Sequence, residues 1–311
     1  AVNTHAAAAG AGLSRNIVCD LRSDTVTRPD AAMRRAMAAA EVGDDVYGED
    51  PEVNALQAEV AGRLGKAAGL LLPSGTQSNL CAVLAHCGRG EEAIVGAPYH
   101  IFRYEAAGAS VLGGVALLPV PVTASGAIAP ETVRGAVRDG DPHHPLSRLL
   151  CLENTHGGQA VPLPGIAAAA GAAREAGLSV HLDGARFFNA VTALGCAPED
   201  LAGLADTVSV CLSKGLGAPA GSVLVGPAEV IGRAHRWRKT LGGGMRQAGV
   251  LAAAGRHALR HNVDGLAKDH ARAETLAAAL TALGAGEVRQ ATNMVFLTPG
   301  RRWPGRWPRA A

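Results

Sequence analysis

The chain has 311 residues, 48% of them hydrophobic, with 40 glycines and only 3% aromatics; that is room for one large α/β unit and a smaller one, cored by small and branched aliphatics. A formal charge of +2 gives no reason to expect nucleic acid or an anionic membrane as partner, and no run of about 20 strongly apolar residues is present to span a bilayer. The six cysteines (Cys19, Cys81, Cys87, Cys151, Cys196 and Cys211) are scattered without CxxC spacing and read as small core residues of a reducing compartment.

Residues 1–16, AVNTHAAAAGAGLSRN, are of low complexity and are expected to form a disordered tail. The expected compartment is cytoplasmic; a remnant of a transit peptide, hence a mitochondrial location, is the alternative. Ile17 to Asp30 reads as extended, with an unusually polar run, LRSDTVT. Pro29 and Asp30 open a helix through Ala40. The acidic loop VGDDVYGEDP follows, and its Asp50-Pro51 is an N-cap and first helical residue for a helix ending near Leu64. In LLLPSGTQSNLCAVLAHC a short apolar strand passes through a Ser-Gly-Thr turn into a helix whose unpaired N–H groups suit a phosphate. Strands then alternate with helices. Strands are expected at Ile94-Val95, Leu117 to Val122, Leu149 to Glu153 and Leu178 to Leu182, and helices at His100 to Ala109, Pro130 to Val137 and Ile166 to Ala176. This alternation predicts a mostly parallel sheet covered on both faces, with ligands beyond the carboxyl ends of its strands.

The stretch VSVCLSKGLGAPAGSVLVG, Val208 to Gly226, reads as strand, lysine, glycine-rich turn and strand. Lys214 at such a lip is either a solvated strand-end lysine or one that forms a Schiff base with a carbonyl cofactor. Helices near Pro227 to Lys239 and Met245 to Arg260 flank the loop LGGGMRQ. A longer helix, Val263 to Leu283, presents Leu266, Leu276, Leu280 and Leu283 on one side and leads to strands near Glu287 to Arg289 and Met294 to Leu297. The expected division is therefore a large domain over residues 17–262, a partial small domain over 263–297 and a divergent tail over 298–311.

The predicted rim collects Ser74 to Thr76, His156, Asp183 to Arg186 and Lys214. Taken singly, Asp183 could be a helix N-cap and His100 a cap or core histidine. Together they meet three needs of pyridoxal 5′-phosphate: a lysine to hold it, an acid to keep its ring nitrogen protonated, and a phosphate cradle. No metal is expected.

DLRSDTVTRPD, VGDDVYGEDP, LPSGTQSN, LENTHGG, HLDGARFFNA, VCLSKGLGAPAGS and WRKTLGGGMRQ resemble the low-specificity L-threonine aldolases, pyridoxal-phosphate lyases of fold type I, in register from about Asp20 to Leu297. The resemblance implies a seven-stranded, mostly parallel sheet with a smaller C-terminal α/β domain. It implies Lys214 as the Schiff-base lysine, Asp183 at the pyridine nitrogen, Gly75 and Thr76 at the phosphate and His100 stacked on the ring. Ser23 and Arg186 would grip the amino-acid carboxylate, and His143 would lie near the substrate hydroxyl. Lys239 and Arg246, a cofactor-binding residue on this reading, would reach a neighbouring subunit's site in a homo-oligomer, a dimer of dimers. The implied reaction is retro-aldol cleavage of threonine or allo-threonine, small β-hydroxy-α-amino acids, to glycine and acetaldehyde. His100, His143 or an ordered water is the candidate base. The ending TPGRRWPGRWPRAA does not resemble the family. It predicts an incomplete second-domain sheet with an exposed edge and a weaker carboxylate clamp. The alternative function is accordingly a weakly active or inactive variant that keeps cofactor binding and assembly.

Overall fold

A computed structural model describes residues 20–300; the expected N-terminal tail, Cys19 and Arg301, Arg302, Arg306 and Arg309 lie outside them. The chain opens on the polar arm, then runs through α1 (Ala31–Ala38), α2 (Pro51–Arg63), β1 (Ala68–Leu72), α3 (Gly75–His86), β2 (Glu91–Gly96), α4 (His100–Arg103), α5 (Gly108–Gly113), β3 (Ala116–Val120) and α6 (Pro130–Ala136). There follow β4 (Leu146–Glu153), α7 (Leu163–Glu175), β5 (Ser179–Gly184), α8 (Phe187–Leu194), α9 (Pro198–Ala202), β6 (Thr207–Cys211) and β7 (Ser222–Gly226). The last elements are α10 (Ala228–Thr240), α11 (Gly249–His261), α12 (Leu266–Ala282), β8 (Gly286–Ala291) and β9 (Met294–Pro299).

Seven strands form one sheet in the order β1-β7-β6-β5-β4-β2-β3. Only β7 runs against the rest, pairing antiparallel with β1 and β6. Its reversal follows from the chain: β6 and β7 are joined by the short lysine loop, with no crossover helix to return the chain to the starting edge. The central strands are apolar throughout; every residue of β6 and β7 is buried, as a sheet covered on both faces requires. One core cluster continues from Leu56 and Val60 of α2 through Ile94, Leu150, Leu182 and Val210 to Ala252 and Leu259 of α11. Among the described residues no helix is long and apolar enough to cross a membrane.

Two expectations are corrected. The helix predicted over His100 to Ala109 is two short pieces, α4 and α5, because Ala106 and Ala107 adopt positive φ of 50° and 55°. Along α12 the buried residues are Leu266, Ala273 and Ala277, whereas Leu276 and Leu283 are exposed. The alanine face is the one that approaches its neighbours, because side chains without bulk let the helix axis come close to β8, β9 and α8. β8 and β9 pair as a separate antiparallel hairpin, Ala291 opposite Met294.

Candidate active site

The carboxyl ends of β4, β5 and β6 are in register: Glu153 pairs with Asp183, and Asp183 with Ser209. Helix α3 lies across them and supplies polar groups to that end. Ser209 Oγ donates to Ser78 Oγ at 2.7 Å, and Asn79 Nδ2 donates to Asp183 Oδ2 at 2.9 Å. Asp183 is 2% exposed; its second oxygen accepts the Ala185 N–H at 2.9 Å. The carboxylate thus also caps the turn into α8, so the cap reading and the site reading of Asp183 are compatible.

The N-terminus of α3 is the expected anion cradle. Ser74 Oγ accepts the Gln77 N–H and Ser74 O the Ser78 N–H. Gly75 and Thr76 have no such partner among the described residues, so their N–H groups and the helix dipole face outward. Ser222 Oγ lies beside this turn, buried and without a hydrogen-bond partner; it would be 3.6 Å from a Cβ built on Gly75. A phosphate against the first turn of α3 would give those groups acceptors. The Gly242–Gly244 loop closes over the same turn: a Cβ on Gly243 would overlap the Gln77 side-chain amide.

Lys214 is half-buried at the lip beyond β6. The polar arm returns to it, with Thr27 Oγ1 donating to the Lys214 carbonyl at 2.7 Å. On that arm Ser23 caps the turn Asp24–Val26, and Asp24 grips Arg186 with both oxygens. Arg186 Nε donates to Oδ2 and Nη2 to Oδ1, each at 2.7 Å. Asn293, at the tip of the β8–β9 hairpin, donates to the same carboxylate at 3.1 Å. Burial pushes the Asp24 carboxyl up, but the bonds from Arg186 and Asn293 and the charge of Lys214 outweigh it and hold it below its ordinary value.

His100 stands at the first position of α4. Its N–H donates to Glu153 Oε2 at 2.7 Å, and its Nδ1 meets Glu105 Oε1 at 2.9 Å. One ligand-type atom each of His100, Glu105 and Asp183 falls within 4.8 Å of the others. Glu153 Oε1 also holds His156 Nδ1 at 2.7 Å, and the His156 ring packs on Tyr99 at 5.2 Å.

Lys214, Asp183, His100, Arg186, Ser23 and the Gly75-Thr76 turn therefore come to one rim, although they are spread over most of the sequence. His143 does not join them within one chain. It precedes β4, at the amino edge of the sheet, with its side chain 87% exposed and bonded to Asp141 at 2.6 Å. An eight-residue strand then separates it from the rim, about 25 Å at the rise of a β-strand. Arg246 lies beside the glycine loop with Nη1 on Asp44 at 3.0 Å, and its carbonyl accepts the Asp45 N–H. Sequence reasoning missed Asn79, Glu105 and Asp24. The only available signals were an unexplained Asn inside an apolar helix and two acids next to residues already singled out.

An acid, a lysine and a histidine beside an N–H cradle fit pyridoxal phosphate better than any simple ion-pair network, because the unpartnered groups lie at the phosphate end. The comparisons agree. Residues 20–300 match the beta-eliminating lyase family. The low specificity L-threonine aldolase of Escherichia coli K12 is 51% identical over 281 residues, 90% of this chain and 84% of that protein. The probable low-specificity L-threonine aldolase 2 of Arabidopsis thaliana is 48% identical over 287 residues, 89% of this chain and 81% of that protein. In fold the chain is similar to the solved threonine aldolase of Leishmania major, with a TM-score of 0.75 at 22% identity over 86% of this chain and 79% of that one. With identities near one half over nine-tenths of its length, the chain belongs to the low-specificity L-threonine aldolases, within the beta-eliminating lyase family.

Proposed function

We propose that the chain is a pyridoxal-phosphate-dependent lyase that cleaves L-threonine and L-allo-threonine to glycine and acetaldehyde. The observation that carries this reading is the convergence of Lys214, Asp183, His100 and the outward N–H groups of α3 at the carboxyl ends of β4 to β6. When bound, the cofactor supplies an electron sink for the pair left on Cα as the Cα–Cβ bond breaks. The remaining work falls to side chains. Lys214 is the residue that holds the cofactor covalently. Asp183 keeps a proton on its ring nitrogen, and Gly75 and Thr76 take its phosphate.

Arg186 and Ser23 are assigned the substrate carboxylate. A guanidinium has five N–H donors, and Asp24 engages only the Nε–Nη2 edge, so the Nη1 end is free to grip a second carboxylate. Gripping it sets which Cα bond stands ready to break. His100 is the histidine of this chain suited to take the β-hydroxyl proton; His143 is distant from its own rim. A role for His143, for Arg246 as a cofactor-binding residue, or for Lys239 belongs to the site of a second copy, in a homo-oligomer arranged as a dimer of dimers. The division into a domain over 17–262 and a smaller unit over 263–297, and a cytoplasmic location, belong to the same proposal. Free cysteines Cys81, Cys87, Cys151, Cys196 and Cys211 favour a reducing compartment.

The purified chain, supplied with pyridoxal phosphate, is expected to develop visible absorbance and to release acetaldehyde from allo-threonine. Lys214→Ala is expected to lose both. Lysine-dependent absorbance with no acetaldehyde from either threonine isomer would sink the aldolase reading and leave a binding-only protein.

A further inference from the structure

We propose that Glu105 is a positioning residue of this reaction: it fixes His100 as the Nδ1–H tautomer, leaving Nε2 as the proton-accepting atom of the ring, and through Asn79 it ties that histidine to Asp183. The inference rests on the functional reading above for its consequence, but its geometry stands independently.

Glu105 occupies the break between α4 and α5. Two successive non-glycine residues with positive φ, Ala106 and Ala107, are an unfavourable way to turn a chain. Here the turn carries the Glu105 side chain inward, where the residue is 8% exposed. An ionised carboxylate only accepts hydrogen bonds. His100 Nδ1, at 2.9 Å from Oε1, must therefore donate, and so must Asn79 Nδ2 at 2.8 Å. The other proton of that amide goes to Asp183 Oδ2 at 2.9 Å. Chemistry fixes the amide orientation, since reversing it would set the Asn79 oxygen against two carboxylates. Asn79 Oδ1 then accepts from His181 Nε2 at 3.1 Å. His181 Nδ1 must in turn accept from Thr207 Oγ1 at 3.0 Å, and Thr207 Oγ1 accepts from His86 Nε2 at 3.0 Å. Each link sets the direction of the next, so the Asn79 amide locks the tautomers of His181 and His86, while Glu105 locks that of His100.

Two carboxylates this close, one 8% and the other 2% exposed, repel in a medium of low polarity. The neutral amide between them donates to both and keeps both in place. Burial pushes the Glu105 carboxyl up, with Asp183 adding to it, while the bonds from His100 and Asn79 pull it down; the net direction is upward. His100 is held above its ordinary value, chiefly by the hydrogen bond to Glu105. Burial and the Lys214 charge oppose that shift, and Asp183 supports it. The groups facing His100 are thus Glu105 in the α4–α5 break, Asp183 from β5, Lys214 beyond β6, Glu153 from β4 and the Tyr104 ring at 5.5 Å.

The test is the pH dependence of kcat/KM for allo-threonine cleavage by the holoenzyme, whose acid limb reports an essential base of the free enzyme. Glu105→Gln keeps the shape and an acceptor but removes the charge. The limb is expected to move to lower pH by about 1 unit, the size of effect that a neighbouring opposite charge has, with cofactor absorbance as in the parent. Glu105→Asp keeps the charge and is expected to move the limb less. A fully loaded Glu105→Gln with an unmoved limb overturns the proposal, as do equal shifts in both variants. If neither variant loads cofactor, the unsubstituted protein decides. Its histidine 15N spectrum without cofactor, with His100 identified against His100→Asn, is expected to show a proton on Nδ1 and a bare Nε2 above the limb. A bare Nδ1 overturns the proposal. Failure of the unsubstituted enzyme to cleave allo-threonine counts against the functional reading alone, because the tautomer is read without it.

Discussion

Arg186, proposed above to take the substrate carboxylate, is aimed by the fold through its other edge. Asp24 takes one edge of its guanidinium with two bonds of 2.7 Å, and Asn293 steadies Asp24 from the hairpin tip. Such bidentate pairing fixes direction as well as energy. The odd polarity of LRSDTVT follows: the arm carries the acid that aims the arginine. Asp24→Asn keeps one acceptor and loses the charge, so the guanidinium is free to turn. The KM for allo-threonine is expected to rise about tenfold, equivalent to about 1.4 kcal/mol, with cofactor loading unchanged in the visible spectrum. A KM equal to that of the parent would show that Arg186 is aimed by something else.

Among the elements, the loop Val42 to Asp50 joins pieces that sequence order keeps apart. Asp50 is fully buried and accepts N–H groups from Gly43 at 3.3 Å, Val53 at 3.0 Å and Gly249 at 2.8 Å. It therefore caps α2 and the start of α11 at once. Asp45 adds a buried ion pair to Arg238 at 2.8 Å, and Arg238 also donates to the Leu71 carbonyl. Asp50→Ala removes the cap and strands the buried N–H groups of Val53 and Gly249 and the half-buried one of Gly43. At about 1 kcal/mol for a cap and 1–3 kcal/mol for an unsatisfied group, a loss of about 3 kcal/mol is expected by urea unfolding. Asp50→Asn, which keeps an acceptor, is expected to lose less. The Asp-Pro pair made the α2 cap legible in the sequence, because a cap is a local signal. Its bond to Gly249 was not legible, because the two lie 199 positions apart in the chain. The same distinction runs through the molecule. Strand alternation and glycine turns foretold the sheet and the place of Lys214 just beyond a strand. The break after α4 carries no glycine or proline at the turn itself, so periodicity ran straight through Ala106 and hid Glu105. On α12 the leucines suggested a stripe, yet packing favoured the alanines, which only the neighbouring hairpin could decide.

For the molecule as a whole, the polar seam under α3 links the rim of the sheet to acid stability. It runs from Asp183 at the rim through Asn79, His181 and Thr207 to His86 at the far end of the helix. Such a seam is rigid while every group has a partner, and costly once one of them gains a proton and loses its acceptor. Burial, with the neighbouring His86, pushes His181 down to about 3, and burial pushes His86 down to about 4, from an ordinary 6.5. Between those values the unfolded chain binds protons that the native protein refuses, so stability rises with pH there. In that interval each histidine contributes a slope of up to about 1.4 kcal/mol per pH unit; the stability it carries is present in full above its ordinary 6.5 and lost progressively as pH falls toward its native value. His100, held above its ordinary value, works the other way and offsets a part of this near neutrality. The urea midpoint is therefore expected to fall steeply between pH 6 and 4, at about the limits set by those shifts, and to decline slightly above pH 7 as His100 loses its proton. His181→Gln cannot take up that proton. It is expected to be less stable than the parent at pH 7, where it disturbs the seam, but to lose stability more gently on acidification. Parallel slopes for the two proteins between pH 6 and 4 would show that the acid sensitivity resides in the carboxylate pairs and not in this seam.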